Sequence, residues 1–193
     1  MKKTIFTVLG ITVFAITLNA QNLMKNPSFE TFDWEAPDAT ATNWHYDIGK
    51  TGAQILKDES GAYSGATGLE LISTGVERAV ITQDFIAVKG NTNYVLTIIG
   101  SSLRNDANGN MAAFLTGDQW SSEGAWLANL PFIQFPLSDY QEYAQVVNSF
   151  TTHADAVRIK VHIGYTEAGQ KGTTYFDDVY LAEGTVQIGR AHV

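Results

Sequence analysis

Between Val157 and Ile163 apolar and polar residues alternate without a break, Val157, Ile159, Val161 and Ile163 against Arg158, Lys160 and His162. A period of two places successive side chains on opposite faces of an extended strand, so one face of this segment belongs to a core and the other to water. No segment after Gln21 carries the three-to-four spacing of an amphipathic helix. Short alternating segments without helices restrict the chain to antiparallel all-β architectures.

Further strands are expected at Thr67 to Ser73, Ala79 to Phe85, Tyr94 to Ser101, Met111 to Leu115, Tyr143 to Phe150 and Thr174 to Ala182. Clusters of Gly, Asn, Asp and Ser separate them, such as Lys89-Gly90-Asn91 and the run from Asn105 to Asn110. Strands at this spacing predict a two-sheet β-sandwich or jelly roll. The stretch from Gly117 to Tyr140 shows no clear period and reads as a long loop, of the kind that is usually functional or mobile.

The first twenty residues have the layout of a secretory signal peptide: Lys2 and Lys3, an apolar run, and the small residue Ala20. The run is short and broken by threonines, which argues against a membrane span. The mature chain is expected to start at Gln21 and to be secreted or held at the cell surface. At the other end Ile188 to Val193, IGRAHV, matches the translation of a common sequencing-adapter oligonucleotide. Residues 187–193 are therefore expected to be an artefact at a truncated end, with 21–186 forming one domain; the alternative is a genuine polar terminus.

Loss of the leader removes Lys2 and Lys3 and no acid, leaving ten basic against twenty acidic residues. Such a charge repels nucleic acid and anionic membrane surfaces, so neutral ligands and cations remain as partners. The chain has no cysteine, so no disulfide can staple it.

Several segments together carry a resemblance: NLMKNPSFE (Asn22 to Glu30), Trp44, SGAYSGATGLEL (Ser60 to Leu71), ITQDFIAVKGNTNYVLTI (Ile81 to Ile98) and YFDDVYL (Tyr175 to Leu181). In order and spacing they resemble the xylan- and glucan-binding jelly-roll carbohydrate-binding modules, galactose-binding-like β-sandwiches of secreted bacterial glycoside hydrolases. The resemblance spans Asn22 to Leu181. It implies a monomeric module that binds plant cell-wall glucan or xylan without chemistry, as part of a longer carbohydrate-active protein.

The resemblance also implies a structural calcium ion where the first and last strands lie side by side. Its carboxylate ligands would be Glu30 and one of Asp177 or Asp178, with Asp58 and Glu59 as further candidates and loop carbonyls completing the shell. Calcium takes six to eight hard oxygens, and such an ion would account for two adjacent acids in a strand that is otherwise apolar. The alternative is that these acids hydrogen-bond backbone amides at strand ends. Regular alternation allows only one of the adjacent pair to point inward.

Sugar rings are bound by flat aromatic side chains, with polar groups reading the hydroxyls. Trp120 and Trp126 are the first candidates, followed by Trp34 and Tyr165, whereas Trp44 reads as core. Arg158, Lys160 and His162 on the wet strand face are candidate polar readers. No acid pair, nucleophile elbow or histidine pair with a recognisable motif appears. Two other functions remain open: a surface adhesion or spacer module, and a small β-sandwich enzyme acting on glycosides.

Overall fold

The computed structural model describes residues 21–33, 40–48, 53–59, 62–104, 109 and 111–185. Residues 1–20, expected to be a leader, residues 186–193 and Trp34 lie outside the described residues. Fifteen strands and no helix occur among the described residues. In chain order they are β1 (Phe32–Asp33), β2 (Thr40–Ala41), β3 (Trp44–Ile48), β4 (Ala53–Asp58), β5 (Gly68–Thr74), β6 (Ala79–Gln83), β7 (Ile86–Ala87) and β8 (Asn93–Leu103). They continue as β9 (Phe114–Trp120), β10 (Trp126–Asn129), β11 (Ile133–Gln134), β12 (Leu137–Ser138), β13 (Ala144–Thr151), β14 (Arg158–Tyr165) and β15 (Lys171–Glu183).

Apart from the small β1–β2 pair, the strands form two sheets. Sheet I runs β10-β9-β14-β6-β3, with β11 added to β9 and β7 to β14. Sheet II runs β12-β8-β15-β5-β4, with β13 on β8. All pairs are antiparallel except the two-residue contact of β12 with β8. Two such sheets facing each other are a β-sandwich of jelly-roll type.

The core forms where the alternating faces meet. From sheet I come Ile159, Val161, Ile163, Leu115 and Ile81; from sheet II come Leu69, Leu71, Leu96, Ile98, Phe176 and Leu181, all shut off from solvent. Trp44 joins them, its ring centroid 5.1 Å from that of Phe29 and its Nε1–H donating to the Asn26 carbonyl. Val157, the first apolar residue of the alternation, lies before β14 and is exposed.

The segment expected to be a long loop is instead built of short strands joined by turns. The second half of β9 and all of β10, β11 and β12 lie between Gly117 and Tyr140. Gly117 broke the visible period, and the structure gives a reason for it: a Cβ there would come within 2.2 Å of the Lys160 carbonyl and 3.0 Å of Leu130. The neighbouring inward position is polar, too: Gln119 is buried with its Oε1 accepting from the His153 amide.

The N-terminal segment lies along the final strand. Leu23 donates to the Leu181 carbonyl, Leu181 donates to the Asn22 side chain, and Val179 donates to the Pro27 carbonyl. That pairing carries Glu30 and the two aspartates to one corner of the sandwich.

Candidate functional site

Cross-strand partners in an antiparallel sheet share a face, so the register of sheet I defines its outer surface row by row. Trp126, Trp120, Arg158 and Ala87 form the first row. Asn129, Asp118 and Lys160 form the second, and Thr116, His162, Thr82 and His45 the third. Gln134, Phe114, Gly164 and Val80 form the fourth. From the first row to the last the surface extends six residues along β14, about 20 Å.

Aromatic side chains stand at both ends of this face. Trp126 is 54% exposed, and Trp120 packs edge-on to Phe85 at 5.7 Å. At the far end Phe114 and Phe132 meet edge to face, and Phe132 is 53% exposed. Between them a cleft of about 270 Å³ is lined by Arg78, Asp118, Asn129, Phe132, His162 and Glu167, among others. His162 Nε2 lies 3.0 Å from the Asp118 carboxylate, which orients the imidazole at the cleft wall.

Two donors near the first row lack partners. Trp120 Nε1 and Arg158 Nε are both shut off from solvent and form no hydrogen bond. The Arg158 guanidinium instead lies 4.3 Å from the centroid of the Phe85 ring, with Lys160 Nζ at 5.9 Å from the same ring. Buried donors without acceptors are uncommon in folded proteins and ask for an explanation.

Of the residues expected from sequence to contact a ligand, the fold brings Trp120, Trp126, Arg158 and His162 onto this one face. Tyr165 is a correction: it is fully buried, belongs to the core, and its hydroxyl lies 2.9 Å from Thr174 Oγ1. It continues the inward series Ile159, Val161, Ile163 and cannot reach a ligand. Phe85, Phe114, Phe132, Asp118 and Asn129 were not anticipated. Asp118 and Trp120 alternate along β9 with Gly117 and Gln119, which are buried without being apolar, so the sequence carried no period to mark this strand.

The acids expected to hold calcium occupy the opposite corner. Asp177 is wholly buried; the Ser64 amide donates to its Oδ2 at 2.9 Å and the Asp178 amide to its Oδ1 at 2.8 Å. Burial pushes its carboxyl up to about 6, against the opposing pull of these amides. Asp178 adopts a left-handed φ of 43°, at a register shift between Asp177 and Tyr180. This bulge cancels the alternation, so both aspartates turn toward Ser64, whose hydroxyl donates to Asp178 Oδ1 at 2.9 Å.

Glu30 closes on the same turn. Its Oε1 accepts from the amides of Ala66 and Thr67 at 3.0 and 3.3 Å, and its Oε2 from the Thr67 hydroxyl at 3.3 Å. Asp58 stands close to Asp177, as the cross-strand partner of Gly68, and accepts from Gln141 Nε2 at 2.6 Å, whereas Glu59 pairs with Lys57. Among the described residues no three His, Asp or Glu side chains gather as a metal site. A calcium ion held by Glu30 and Asp178 would take its remaining oxygens from Ser64 and backbone carbonyls, a donor set of the hard type that calcium accepts.

No protein-family model matches the chain, and no curated protein matches it in sequence. Solved structures do. The xylan-binding CBM22-1 domain of Paenibacillus barcinonensis Xyn10C is 14% identical, with a TM-score of 0.59 over 88% of this chain and 97% of that one. A family 16 carbohydrate-binding module is 20% identical, with a TM-score of 0.57 over 84% of this chain and all of that one. A family 61 module in complex with β-1,4-galactotriose is 15% identical with a TM-score of 0.54, and the match covers 86% of this chain and 100% of the module.

Longer proteins also contain the fold. The chain spans 21% of the enzymatically active domain of bacteriophage CBA120 tailspike protein 4, and 29% of a Clostridium thermocellum xylanase 10B fragment that joins a CBM22-1 to a GH10 module. The fold is thus the β-sandwich jelly roll of the carbohydrate-binding modules.

Proposed function

We propose that the chain is an exported, non-catalytic polysaccharide-binding module, with its ligand lying across the outer face of sheet I. The observation that carries this reading is the register of Trp126 on Trp120 and of Trp120 on Arg158. It sets two indole rings and a guanidinium side by side at one end of an open face. Below them, Asp118, Asn129 and His162 line a polar cleft that can exchange hydrogen bonds with sugar hydroxyls. The solved structures of like fold include modules that bind xylan and galactotriose, which supports a polysaccharide ligand.

A bound module acts by raising the local concentration of whatever is attached to it on the polymer. Native affinity electrophoresis of residues 21–185 through gels carrying xylan, mixed-linkage glucan, galactan or pectin tests the reading. Retardation in at least one gel is expected. Uniform mobility of a cooperatively melting protein would favour an adhesion or spacer role instead.

The calcium ion belongs to the same proposal as a structural element. Glu30, just before β1, and Asp178, at the bulge within β15, both bond to the Ser64–Thr67 turn, and a dication held there would neutralise their charges. Asp177 ties the Ser64 turn to the bulge, one amide hydrogen on each of its oxygens, and it is the alternative to Asp178 as the second carboxylate ligand.

A further inference from the structure

We propose that the polysaccharide bound by this face carries carboxylate groups, as a uronate-bearing polymer does, and that Arg158 reads them. The inference rests on the sugar-binding reading above and names the ligand class within it.

In a chain with 20 acidic and 12 basic residues a cation should find an anion easily. Lys57, Lys89 and Arg104 do so, pairing with Glu59, Glu183 and Asp139 at 2.6, 2.7 and 3.3 Å. Arg158 forms no ion pair with a described residue. Its guanidinium lies over Phe85, its Nε is closed off without an acceptor, and its Nη2 faces the turn at Gly124, where an added Cβ would be 3.4 Å away. A ring beneath a guanidinium fixes its plane, and a fixed plane favours bidentate pairing with a carboxylate.

The position of the group matters as much as its state. Arg158 is the cross-strand partner of Trp120, which is itself the partner of Trp126. A sugar ring stacked on either indole would hold an equatorial carboxylate over the adjacent guanidinium. Lys160 adds a second cation on the same face, though its cross-strand partner is Asp118, so its charge is partly answered within the protein. Of the acids near this face, Asp118 is bonded to His162, Asp84 lies 3.9 Å from His45, Glu167 lines the far cleft, and Glu123, beside Gly124, forms no ion pair with Arg158. A charge-assisted bond from an already ordered Arg158 would therefore be spent on the ligand.

The test compares glucuronoxylan and pectic polygalacturonate with the same polymers after chemical reduction of their carboxyls, using isothermal titration with the intact chain. At least one acidic polymer should bind about tenfold tighter than its reduced form, a difference of about 1.4 kcal/mol. That preference should shrink between about 0.05 M and about 0.5 M sodium chloride, because exposed ion pairs are screened. Arg158→Gln should bring the acidic polymer down to the reduced one, and Arg158→Lys should recover part of the gap.

Equal affinity for acidic and reduced polymers would overturn the inference while leaving sugar binding intact. A preference surviving in a folded Arg158→Gln protein, or one indifferent to salt, would overturn the role of Arg158. Failure to bind any polymer here or in the neutral gels would overturn the sugar-binding reading itself.

Discussion

Trp126 on β10 and Trp120 on β9 are cross-strand partners on the outer face of sheet I. They differ in what surrounds them. Trp126 is 54% exposed, whereas Trp120 is half-buried against Phe85 with its Nε1 closed off from water. The two rings therefore separate binding from packing.

Trp126→Ala should weaken polysaccharide binding about tenfold or more while moving the melting temperature little, since an exposed ring contributes small packing energy. Trp120→Ala should weaken binding and also lower the melting temperature, because Phe85 and Arg158 lose a neighbour. Paired titration and thermal melts check both. Unchanged affinity in both variants would move the ligand off this face.

The sequence made some of this face readable and hid the rest for definite reasons. The period of two along β14 placed Ile159, Val161 and Ile163 inside and Arg158, Lys160 and His162 outside. Extending it two residues would have put Tyr165 inside as well, where the structure places it. Aromatic character alone suggests a ligand contact at Tyr165, and register decides against it. Along β9 the pattern failed because Gly117 and Gln119 occupy inward positions that ordinarily hold apolar side chains. Their reasons, a close approach to the Lys160 carbonyl and a hydrogen bond to His153, lie in tertiary structure. The bulge at Asp178 was likewise invisible, since it depends on the Ser64 turn that both aspartates meet.

Tyr165 supplies a second prediction. Tyr165→Phe removes only the hydroxyl bonded to Thr174, which should cost about 1 kcal/mol and lower the melting temperature by about 2–4 °C. Tyr165→Ala would open a cavity in the core at a cost of about 3–5 kcal/mol. Polysaccharide affinity of the folded Tyr165→Phe protein should match the parent. A selective loss of affinity would return Tyr165 to the site.

Gly117 couples the core to the face. An added methyl would meet the Lys160 carbonyl on the neighbouring strand, and backbone cannot yield as a flexible side chain can. Gly117→Ala should therefore force β9 away from β14, destabilising the protein by about 1–3 kcal/mol. Because Trp120 and Asp118 stand on β9 and Arg158, Lys160 and His162 on β14, binding should fall along with stability. Normal affinity with an unchanged melt would show that this strand pair is not held as tightly as the geometry implies.

The corner opposite the face yields the last prediction. Glu30 holds the Ser64–Thr67 turn through three hydrogen bonds, from the Ala66 and Thr67 amides and the Thr67 hydroxyl, and Asp178 through one, from the Ser64 hydroxyl. Gly65 at the centre of that turn has φ of 63°, and a Cβ there would overlap Glu30 Oε1 at 1.9 Å. If calcium joins the two carboxylates, chelation should lower the melting temperature by several degrees, as expected when a ligand of the native state is withdrawn. Glu30→Gln and Asp178→Asn should each melt lower and lose most of their response to chelator, whereas wild-type protein regains its melt on adding calcium. Gly65→Ala should mimic them by displacing the Glu30 carboxylate. A parent protein indifferent to chelator and free of metal in elemental analysis would leave hydrogen bonds as the whole tie between these acids and the turn. Sugar affinity in these variants should stay near the parent's, because this corner lies on the strands of sheet II and the N-terminal segment, away from Trp126 and Trp120.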